Sequence, residues 1–589
     1  MRGPAGRERS GAHGLAQSAF SAAPVAGDQQ GVLLACTAVA LLSLAAFLTL
    51  FLFRAQDDNR LTSWRWVFAD ADVFWITPVL AVGVFLAAVL IRVPFPGRRP
   101  AGLLFLCSFA LAAVSWGEPE VIVDASRYFT QAKHLELYGL EYFLREWGGR
   151  IAAWTDLPLI PLLYGLIFSL AGEHRIYIQV LTTLLFSASV VLTYLIGRTL
   201  WDEAAGFYAG ALLLGMPYLL TQVPLMLVDV PTMFFLILAV FTTLKALERG
   251  GAGHLALASV AVALAFWTKY SAWLFLSVLL VVLLVRLKQG PRPVFLRALL
   301  LIMISMVLIG ATLLPMLEVV GAQLRLLQSY QVPGLARWEE SPGSTFLFQM
   351  HPFIAAAALG SVYTAFKNKD ARYAIVLWLP VLVMVLGINR ARYILPVFPM
   401  LALMAAYGLR EIRCEEIRKY IVLCIVASSV ALSALGFRPF LQKTSAVNLQ
   451  EAGEYLDSLD ASEVEVIALQ QRYAPVNPAV SVPLLDLHTS KRLIFRSDAL
   501  ASTGRGVDES PLRFTWEYRT PKYYDAGSDA PKAEAVVVIA DDDSQPLPDR
   551  IAHRLGAYRL SRQFIASENI FGYRTIVRVY LAGHYPLRG

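Results

Sequence analysis

The sequence predicts a polytopic α-helical membrane protein with a small C-terminal soluble α/β domain. Composition is the first indication, because 57% of the 589 residues are hydrophobic and only 16% are charged. In soluble domains about a quarter of the residues are charged and at most about half are apolar, so lipid is the expected solvent here. The other two indications are a long series of apolar runs and a change in sequence texture after residue 437.

Apolar runs of membrane-spanning length fill the first three quarters of the chain. A helix needs about 20 apolar residues to cross the hydrocarbon core, and about thirteen runs reach or approach that length. The first run is too long for a signal-peptide core and no small-residue cleavage pattern follows it, so we expect a retained helix. The predicted spans lie at about 31–53, 73–93, 101–116, 175–200, 204–222, 230–248, 254–268, 271–288, 296–318, 352–366, 373–389, 393–409 and 420–437.

Lysine and arginine residues cluster in alternate gaps between these runs, within reach of the helix ends. The positive-inside rule assigns such gaps to the cytoplasm, which puts the N-terminus inside and the segments 117–174, 319–351 and 438–589 outside. We attribute the formal net charge of +7 to this orientation signal and predict no nucleic-acid partner. The clustered residues are Arg92, Arg98, Arg99, Arg198, Lys245, Arg249, Arg286, Lys288, Arg292, Lys367, Lys369, Arg372, Arg410, Arg413, Arg418 and Lys419.

Two segments outside the predicted spans have patterns of their own. In the first external loop, the amphipathic stretch Phe129–Leu144 and the apolar run from Trp154 to Leu170 predict helices along the membrane surface. After residue 437, short β-branched runs separated by turns predict a small α/β domain of about 150 residues. These predicted strands are Glu463–Gln470, Lys491–Arg496, Ala533–Ala540 and Arg574–Leu581.

The predicted organisation is therefore a cytoplasmic tail with two additional helices over 1–100, a membrane core over 101–437 and an external domain over 438–589. The four cysteines are too few and too scattered for a disulfide framework, and no Cys/His cluster with metal-ligand spacing occurs in the sequence. No cofactor follows from the sequence, although a divalent metal is left open.

Ionisable residues at the predicted external helix ends are the most informative for function. Burying such groups is costly, and Lys or Arg on the external side runs against the positive-inside rule. Singly, Asp229 is explained as a helix N-cap and the cations as interfacial anchors. Together they predict one outward-facing cavity, because helix ends on one face of a bundle lie close to one another. The set is Asp124, Asp156, Asp229, Lys269, Arg390 and Arg392.

Such a set suits group transfer from a lipid phosphate. The cations Lys269 and Arg392 can hold a phosphate and stabilise it as a leaving group. A carboxylate such as Asp124 can take the proton from an acceptor hydroxyl as that hydroxyl attacks.

Over about 101–437 the sequence resembles the membrane glycosyltransferases of the GT-C fold. It is most similar to the group that contains the lipid A aminoarabinose transferases and the bacterial relatives of protein O-mannosyltransferases. Each motif is loose, and the order of the motifs along the chain carries the resemblance. The motifs are Asp124 with Arg127 and Tyr128, Asp156–Leu159, Ile196–Arg198, Leu227–Thr232, Leu264–Lys269 and Arg392–Pro399.

The resemblance implies an inverting enzyme of a bacterial inner membrane that takes a sugar from a polyprenyl-phosphate donor on the external leaflet. The acceptor is a glycan, a lipid or a protein, and membrane lipids surround the enzyme. The general base of the family would correspond to Asp124. The candidate substrate-binding residues are Arg127, Tyr128, Asp156, Asp229, Lys269, Arg390, Arg392, Tyr393 and His351.

Two departures from the family pattern affect these assignments. Asp124 is followed by Ala125, where the family often has a second acidic residue. Where many relatives have a Lys before Pro-Pro-Leu, this chain has Asp156 before Leu-Pro-Leu, so Asp156 is a second acid or a metal contact.

The loop 319–351, with Arg325, Arg337 and His351, is a further candidate substrate gate, although His351 before Pro352 also suits a helix start. A transporter or lipid flippase is the alternative function. Against it, the sequence has no repeated halves and its ionisable residues cluster at external helix ends. A non-catalytic scaffold whose external domain binds cell-envelope partners is the third possibility, and it does not require Asp124, Asp229 and Lys269 to converge.

Overall fold

The computed structural model describes residues 26–93, 99–121, 123–288, 291–444, 446–469, 476–495, 507, 510, 512–525, 533–541, 543–566 and 575–583. Outside these ranges lie part of the predicted cytoplasmic tail, Arg98 and the predicted strand ends Gln470, Arg496 and Arg574. The described residues form a helical body with a small sheet domain, as the sequence predicts.

The helical body contains, within the described ranges, eight helices long and apolar enough to cross a membrane. They differ in their surroundings, because 89% of the most apolar window of Ala391–Leu409 is buried in protein, against 22% for Val73–Leu90. The outer helices therefore present apolar side chains such as Phe74 and Leu86 to the outside. The eight are Gln30–Leu52, Val73–Leu90, Arg175–Leu200, Asp229–Arg249, Tyr270–Leu287, Pro291–Gln331, Ala391–Leu409 and Glu415–Thr444.

Shorter or less apolar helices complete the body, and every predicted span coincides with helix. The span predicted at 204–222 is broken after Leu214, and a new helix begins at Pro217. Proline suits the first turn of a helix but disrupts a helix interior. The span predicted at 296–318 continues as helix to Gln331, beyond the predicted loop boundary. These helices are Trp64–Asp70, Pro100–Ala113, Asp124–Glu146, Leu159–Ala171, Glu203–Leu214, Pro217–Gln222, Ala252–Phe266, Val332–Leu335, Pro352–Lys367 and Tyr373–Val385.

The first external loop folds into two packed helices, Asp124–Glu146 and Leu159–Ala171, where two helices are predicted. The first of these bends at Gly139, whose φ of 81° lies in the left-handed region that favours glycine. The two helices approach closely at Gly165, where a Cβ would lie 2.7 Å from the Cβ of Leu135. This contact packs the two loop helices against each other.

The connector that follows the first membrane helix packs on the segment 338–350. Asp57, which is 1% exposed, accepts hydrogen bonds from Trp64 N and Gln349 Nε2, both at 2.8 Å. Arg60 Nε donates to the carbonyl oxygen of Trp338 at 3.3 Å. The additional N-terminal helices are thereby attached to the second predicted external loop.

The C-terminal domain is a five-stranded mixed sheet. Its strand order is β2-β1-β3-β5-β4, with β1 parallel to β2 and β3, and β5 antiparallel to β3 and β4. The sequence prediction missed β4, because it is an edge strand with mostly exposed side chains and has no apolar run. The strands are β1 Glu463–Ala468, β2 Arg492–Phe495, β3 Ala535–Ala540, β4 Tyr558–Ile565 and β5 Ile576–Ala582, and the domain's helices are Val447–Asp457, Ser481–Asp486 and Asp549–Leu555.

Buried charges join this domain to the first external loop. Lys133 Nζ lies 2.6 Å from Asp486 Oδ2 and 2.9 Å from Glu173 Oε1. The Tyr524 hydroxyl also donates to Asp486, at 2.5 Å. We refer to Lys133, Glu173, Asp486 and Tyr524 as the junction cluster, since it connects the loop helix Asp124–Glu146 with the sheet domain.

Candidate active site

Four charged side chains from distant parts of the chain meet at the end of the helical body. Arg392 Nε donates to Asp229 Oδ2 at 2.6 Å, and Arg392 Nη1 donates to Asp124 Oδ2 at 2.5 Å. Lys269 Nζ donates to Asp229 Oδ1 at 2.7 Å. The predicted convergence of these residues is therefore observed, and we call Asp124, Asp229, Lys269 and Arg392 the cavity cluster.

Local structure puts each member of the cavity cluster at the start of a helix. Asp124 and Asp229 are the first residues of Asp124–Glu146 and Asp229–Arg249, where the helix dipole favours a negative charge. The Asp229 side chain makes no capping hydrogen bond, so the N-cap explanation of this residue is wrong. Arg392 is 3% exposed, so it does not act as an interfacial anchor.

The charge state of Asp124 follows from its surroundings. Burial alone would raise the pKa of this carboxyl group, but the positive charges of Arg392, Arg127 and Arg390 outweigh burial and lower it below its usual value. Asp124 is therefore ionised at neutral pH. The structure gives its Oδ1 atom no hydrogen-bond partner among the described residues, so this oxygen is available to a ligand.

A second ion pair lies beside the cavity cluster. The Arg127 guanidinium donates through Nε and Nη2 to Asp156 Oδ2, and Gln131 Nε2 donates to the same oxygen at 3.0 Å. Within the described ranges no three His, Cys, Asp or Glu side chains are grouped to hold a metal ion. Asp156, the residue that departs from the family pattern, is thus paired with Arg127. The Arg127 charge also acts on Asp124, so Arg127 connects the two carboxylates.

The cavity cluster opens onto a cavity of about 260 Å³. Two carboxylates line it, Asp124 and Asp156, with Asp229 behind Lys269 and Arg392. Six cations also line it, so positive charge exceeds negative charge even when Asp229 is counted. A cavity with this balance favours an anionic ligand. The six cations are Arg127, Lys269, Arg337, Arg390, Arg392 and Arg513.

Arg390 is the cation best placed to hold a ligand anion. It is 6% exposed, and its guanidinium carbon lies 3.4 Å from the ring centroid of Trp338. Among the described residues Arg390 has no ion-pair partner, and its buried Nε has no hydrogen-bond partner. Its charge acts on the carboxylates of Asp124 and Glu340 without a direct ion pair to either, so the buried Nε can still bond to a ligand anion.

Aromatic side chains that the sequence analysis did not select form much of the cavity wall. Trp154 packs edge-on against Tyr330, with 5.4 Å between ring centroids, and parallel to Phe514 of the sheet domain. Tyr128 and Tyr393 were selected, and both line the cavity. The only sequence signal for Trp154 was its position two residues before Asp156.

The candidate gate residues divide into two groups. Arg337 lines the cavity, whereas Arg325 and His351 do not. His351 caps the helix Pro352–Lys367 by accepting from Phe353 N at 3.2 Å, and its Nε2 lies 3.0 Å from Ser428 Oγ. The structure therefore corrects the selection of His351 as a substrate-binding residue, because its ring is used inside the protein.

Comparison with known proteins supports the predicted resemblance. The family model of dolichyl-phosphate-mannose-protein mannosyltransferases matches residues 156–310, which include Asp156, Asp229 and Lys269. No curated protein matches the sequence.

Three solved structures are similar to this chain, to different extents. ArnT from Cupriavidus metallidurans bound to undecaprenyl phosphate has a TM-score of 0.51 and 13% identity, over 84% of this chain and 100% of that chain. AglB from Archaeoglobus fulgidus, an archaeal oligosaccharyltransferase, has a TM-score of 0.43 and 13% identity, over 79% of this chain and 69% of that chain. The arabinofuranosyltransferase AftD from Mycobacteria has a TM-score of 0.44 and 15% identity, over 83% and 40% respectively.

The similarity to ArnT covers the whole of that protein and 84% of this chain. It confirms the fold class predicted from the sequence. The chain has the GT-C fold of membrane glycosyltransferases, with a small sheet domain at its C-terminus.

Proposed function

We propose that this protein is a membrane glycosyltransferase that moves a sugar from a polyprenyl-phosphate donor to an acceptor hydroxyl. One observation carries the proposal. Asp124, Asp229, Lys269 and Arg392, from four distant parts of the chain, are bonded to one another at a single cavity lined by cations. The matched family model and the fold of ArnT, whose structure contains undecaprenyl phosphate, support the same reaction class.

The donor phosphate lies against Arg390 and Lys269 in this proposal. Arg390 makes no direct ion pair among the described residues, and Lys269 also faces the Tyr393 ring, 4.7 Å from its centroid. Charge-assisted hydrogen bonds from such cations stabilise the negative charge that builds up on a leaving phosphate. Leu274 and Val332, both more than half exposed, border the cavity and provide an apolar path for the prenyl chain.

Asp124 acts as the general base. The acceptor oxygen forms a bond to the anomeric carbon, its proton moves to the Asp124 carboxylate, and the anomeric carbon–oxygen bond breaks. The polyprenyl phosphate leaves with the bonding electron pair, and attack opposite to it inverts the anomeric centre. Arg392 fixes Asp124 through Oδ2, so the partner-free Oδ1 is the atom that accepts the proton.

The reaction takes place on the external face of a bacterial inner membrane, with the N-terminus in the cytoplasm. The clustered Lys and Arg of alternate loops support this orientation, since they lie on the side opposite to the cavity cluster in the predicted topology.

Incubation of the purified protein with a panel of polyprenyl-phosphate sugars tests the proposal. Asp124→Asn removes the base, and the expected loss of turnover is about 10²–10⁴-fold, with donor binding largely intact. The matched control is Asp202→Asn, because Asp202 is a half-exposed carboxylate in a predicted cytoplasmic loop. Retained turnover in Asp124→Asn would exclude Asp124 as the base, and no turnover with any donor would exclude the transferase.

A further inference from the structure

A second cavity, of about 200 Å³, lies next to the first and shares Arg127 and Trp154 with it. Its walls come from the loop helix Asp124–Glu146, from the loop 149–152 and from the sheet-domain segment 517–522. The glycosyl transfer proposed above uses only the first cavity. A molecule in the second cavity would reach the donor site past Arg127 and Trp154.

One face of the loop helix leads from the first cavity into the second. Asp124, Arg127 and Gln131 follow one another at spacings of three and four residues, and His134 continues the series, so all four lie on one side of the helix. Gln131 donates to Asp156 and, at 2.9 Å, to the carbonyl oxygen of Ala152. A ligand that contacts Gln131 therefore contacts a side chain that is bonded directly to Asp156, a carboxylate of the first cavity.

Gln131 is 2% exposed, and its Oε1 atom has no hydrogen-bond partner among the described residues. The buried Nε1 of Trp154 likewise has no partner in the described part of the chain. Buried polar atoms are nearly always hydrogen-bonded, so an acceptor and a donor that both lack partners in one cavity indicate a missing ligand. Sugar hydroxyls both donate and accept hydrogen bonds, and the Trp154 ring offers an apolar face to a sugar ring.

His134 adds a second acceptor to this cavity. Its Nδ1 lies 2.6 Å from the carbonyl oxygen of Thr130, which can only accept, so Nδ1 carries the hydrogen. Burial lowers the pKa of His134, although the bond to Thr130 opposes this, so the ring is neutral and Nε2 is the acceptor. The cavity therefore presents two acceptors for hydroxyl groups.

The rim of the second cavity is cationic. Arg150, Arg519 and Lys522 border it, all exposed, against the single carboxylate of Glu517. Arg150 also lies 3.7 Å from Glu146, whereas Arg519 and Lys522 have no ion-pair partner among the described residues. Two cations of the sheet domain thus remain for an anionic group on a ligand.

We propose that the second cavity binds a saccharide that carries a phosphate or a carboxylate group. This inference rests on the proposed function, in which that saccharide is the acceptor. Its hydroxyl groups bond to Gln131 and His134, its ring lies against Trp154, and its anionic group lies between Arg519 and Lys522. The sheet domain thereby selects the acceptor, and the membrane core binds the donor.

The test measures binding of glucose 6-phosphate, glucuronate and glucose to the full-length protein by titration calorimetry at low salt. The wild type is expected to bind both anionic sugars at least about tenfold more tightly than glucose. Arg519→Gln/Lys522→Gln should remove that preference and leave glucose binding unchanged. The matched control, Arg550→Gln/Arg559→Gln, removes two exposed cations elsewhere in the same domain and should keep the preference.

The two anionic sugars separate phosphate recognition from carboxylate recognition. Equal binding of all three sugars, or an equal loss in the control variant, would overturn the saccharide site. Transfer by the wild type to neutral and anionic acceptors at equal rates would also overturn it, with the transferase intact. Anionic-sugar binding that needs Arg519 and Lys522, in a protein that transfers no sugar, would support the site and overturn the proposed function.

Discussion

The cavity cluster and the junction cluster are both groups of buried opposite charges, yet their charge balance differs. The cavity cluster has two carboxylates and two cations, and each carboxylate has its own contact with Arg392. The junction cluster has two carboxylates, Glu173 and Asp486, but Lys133 is its one cation among the described residues. Balanced buried charges stay ionised, whereas an unbalanced group takes up a proton.

The pKa shifts of the carboxyl groups in the two clusters reflect this difference in charge balance. At the cavity, the neighbouring guanidinium groups lower the pKa of Asp124 despite its burial. At the junction, burial and the charge of Asp486 raise the pKa of Glu173 to about 8, against the opposing effect of Lys133. The fixed charges of the cavity suit the binding of a phosphate, and the protonation of the junction makes the attachment of the sheet domain depend on pH.

Arg392→Gln is expected to have the largest effect, because it removes the residue shared by both carboxylates of the cavity cluster. Breaking a buried ion pair on one side costs about 3–5 kcal/mol, and turnover should fall by about 10³-fold or more as Asp124 loses its position. Thermal unfolding and single-turnover assays measure the two effects. Arg410→Gln, which breaks a half-exposed pair with Asp202, is the matched control and should cost about 1 kcal/mol or less.

If Arg392→Gln leaves stability and turnover close to those of the Arg410→Gln control, the cavity cluster is not a coupled group. The proposed difference in charge balance between the cavity cluster and the junction cluster would then be wrong. Arg392→Lys distinguishes charge from geometry, since lysine keeps the positive charge but cannot bond to Asp124 and Asp229 from one planar fork.

Lys133→Met should have the next largest effect. It leaves Glu173 and the 1%-exposed Asp486 without their cation, so we expect a loss of about 3 kcal/mol above pH 8 and a smaller loss at pH 6, where protonation relieves the carboxylates. Hydrogen exchange over Val447–Asp457 and Ser481–Asp486 measures the loosening of the sheet domain. Lys367→Met, an exposed lysine at the far end of the body, is the control, and equal exchange in both variants would contradict the prediction.

The cavity cluster could be predicted from the sequence and the junction cluster could not, for a physical reason. Asp124, Asp229, Lys269 and Arg392 occupy the ends of predicted helices on one predicted side, so topology alone brings them together. Lys133 and Asp486 lie in an amphipathic helix and in a soluble domain, where a charged residue is ordinary and only the docked structure pairs them.

The same distinction applies to the cavity wall and to the sheet. The stacking of Arg390 on Trp338 depends on how the segment after Gln331 folds back, and no local pattern encodes that contact. Four strands had apolar runs that revealed them, whereas β4 is an exposed edge strand without one. Periodicity and topology thus predicted the helices and the charged core of the site, and its aromatic and C-terminal parts required the tertiary structure.

Glu173→Gln should have the smallest effect, and it tests the difference between the two clusters most directly. It is expected to increase stability, whereas any substitution in the cavity cluster is expected to decrease it. The raised pKa means that folded Glu173 holds a proton between its ordinary pKa of 4.5 and about 8, so wild-type stability falls as pH rises through this window. Glutamine removes the carboxylate that must ionise, so above pH 8 the variant should be more stable by about 1 kcal/mol, or roughly 2–4 °C in Tm. Thermal unfolding from pH 5 to 9 measures this, with the exposed Glu451→Gln as control; parallel profiles for wild type and Glu173→Gln would show that the junction holds no shared proton.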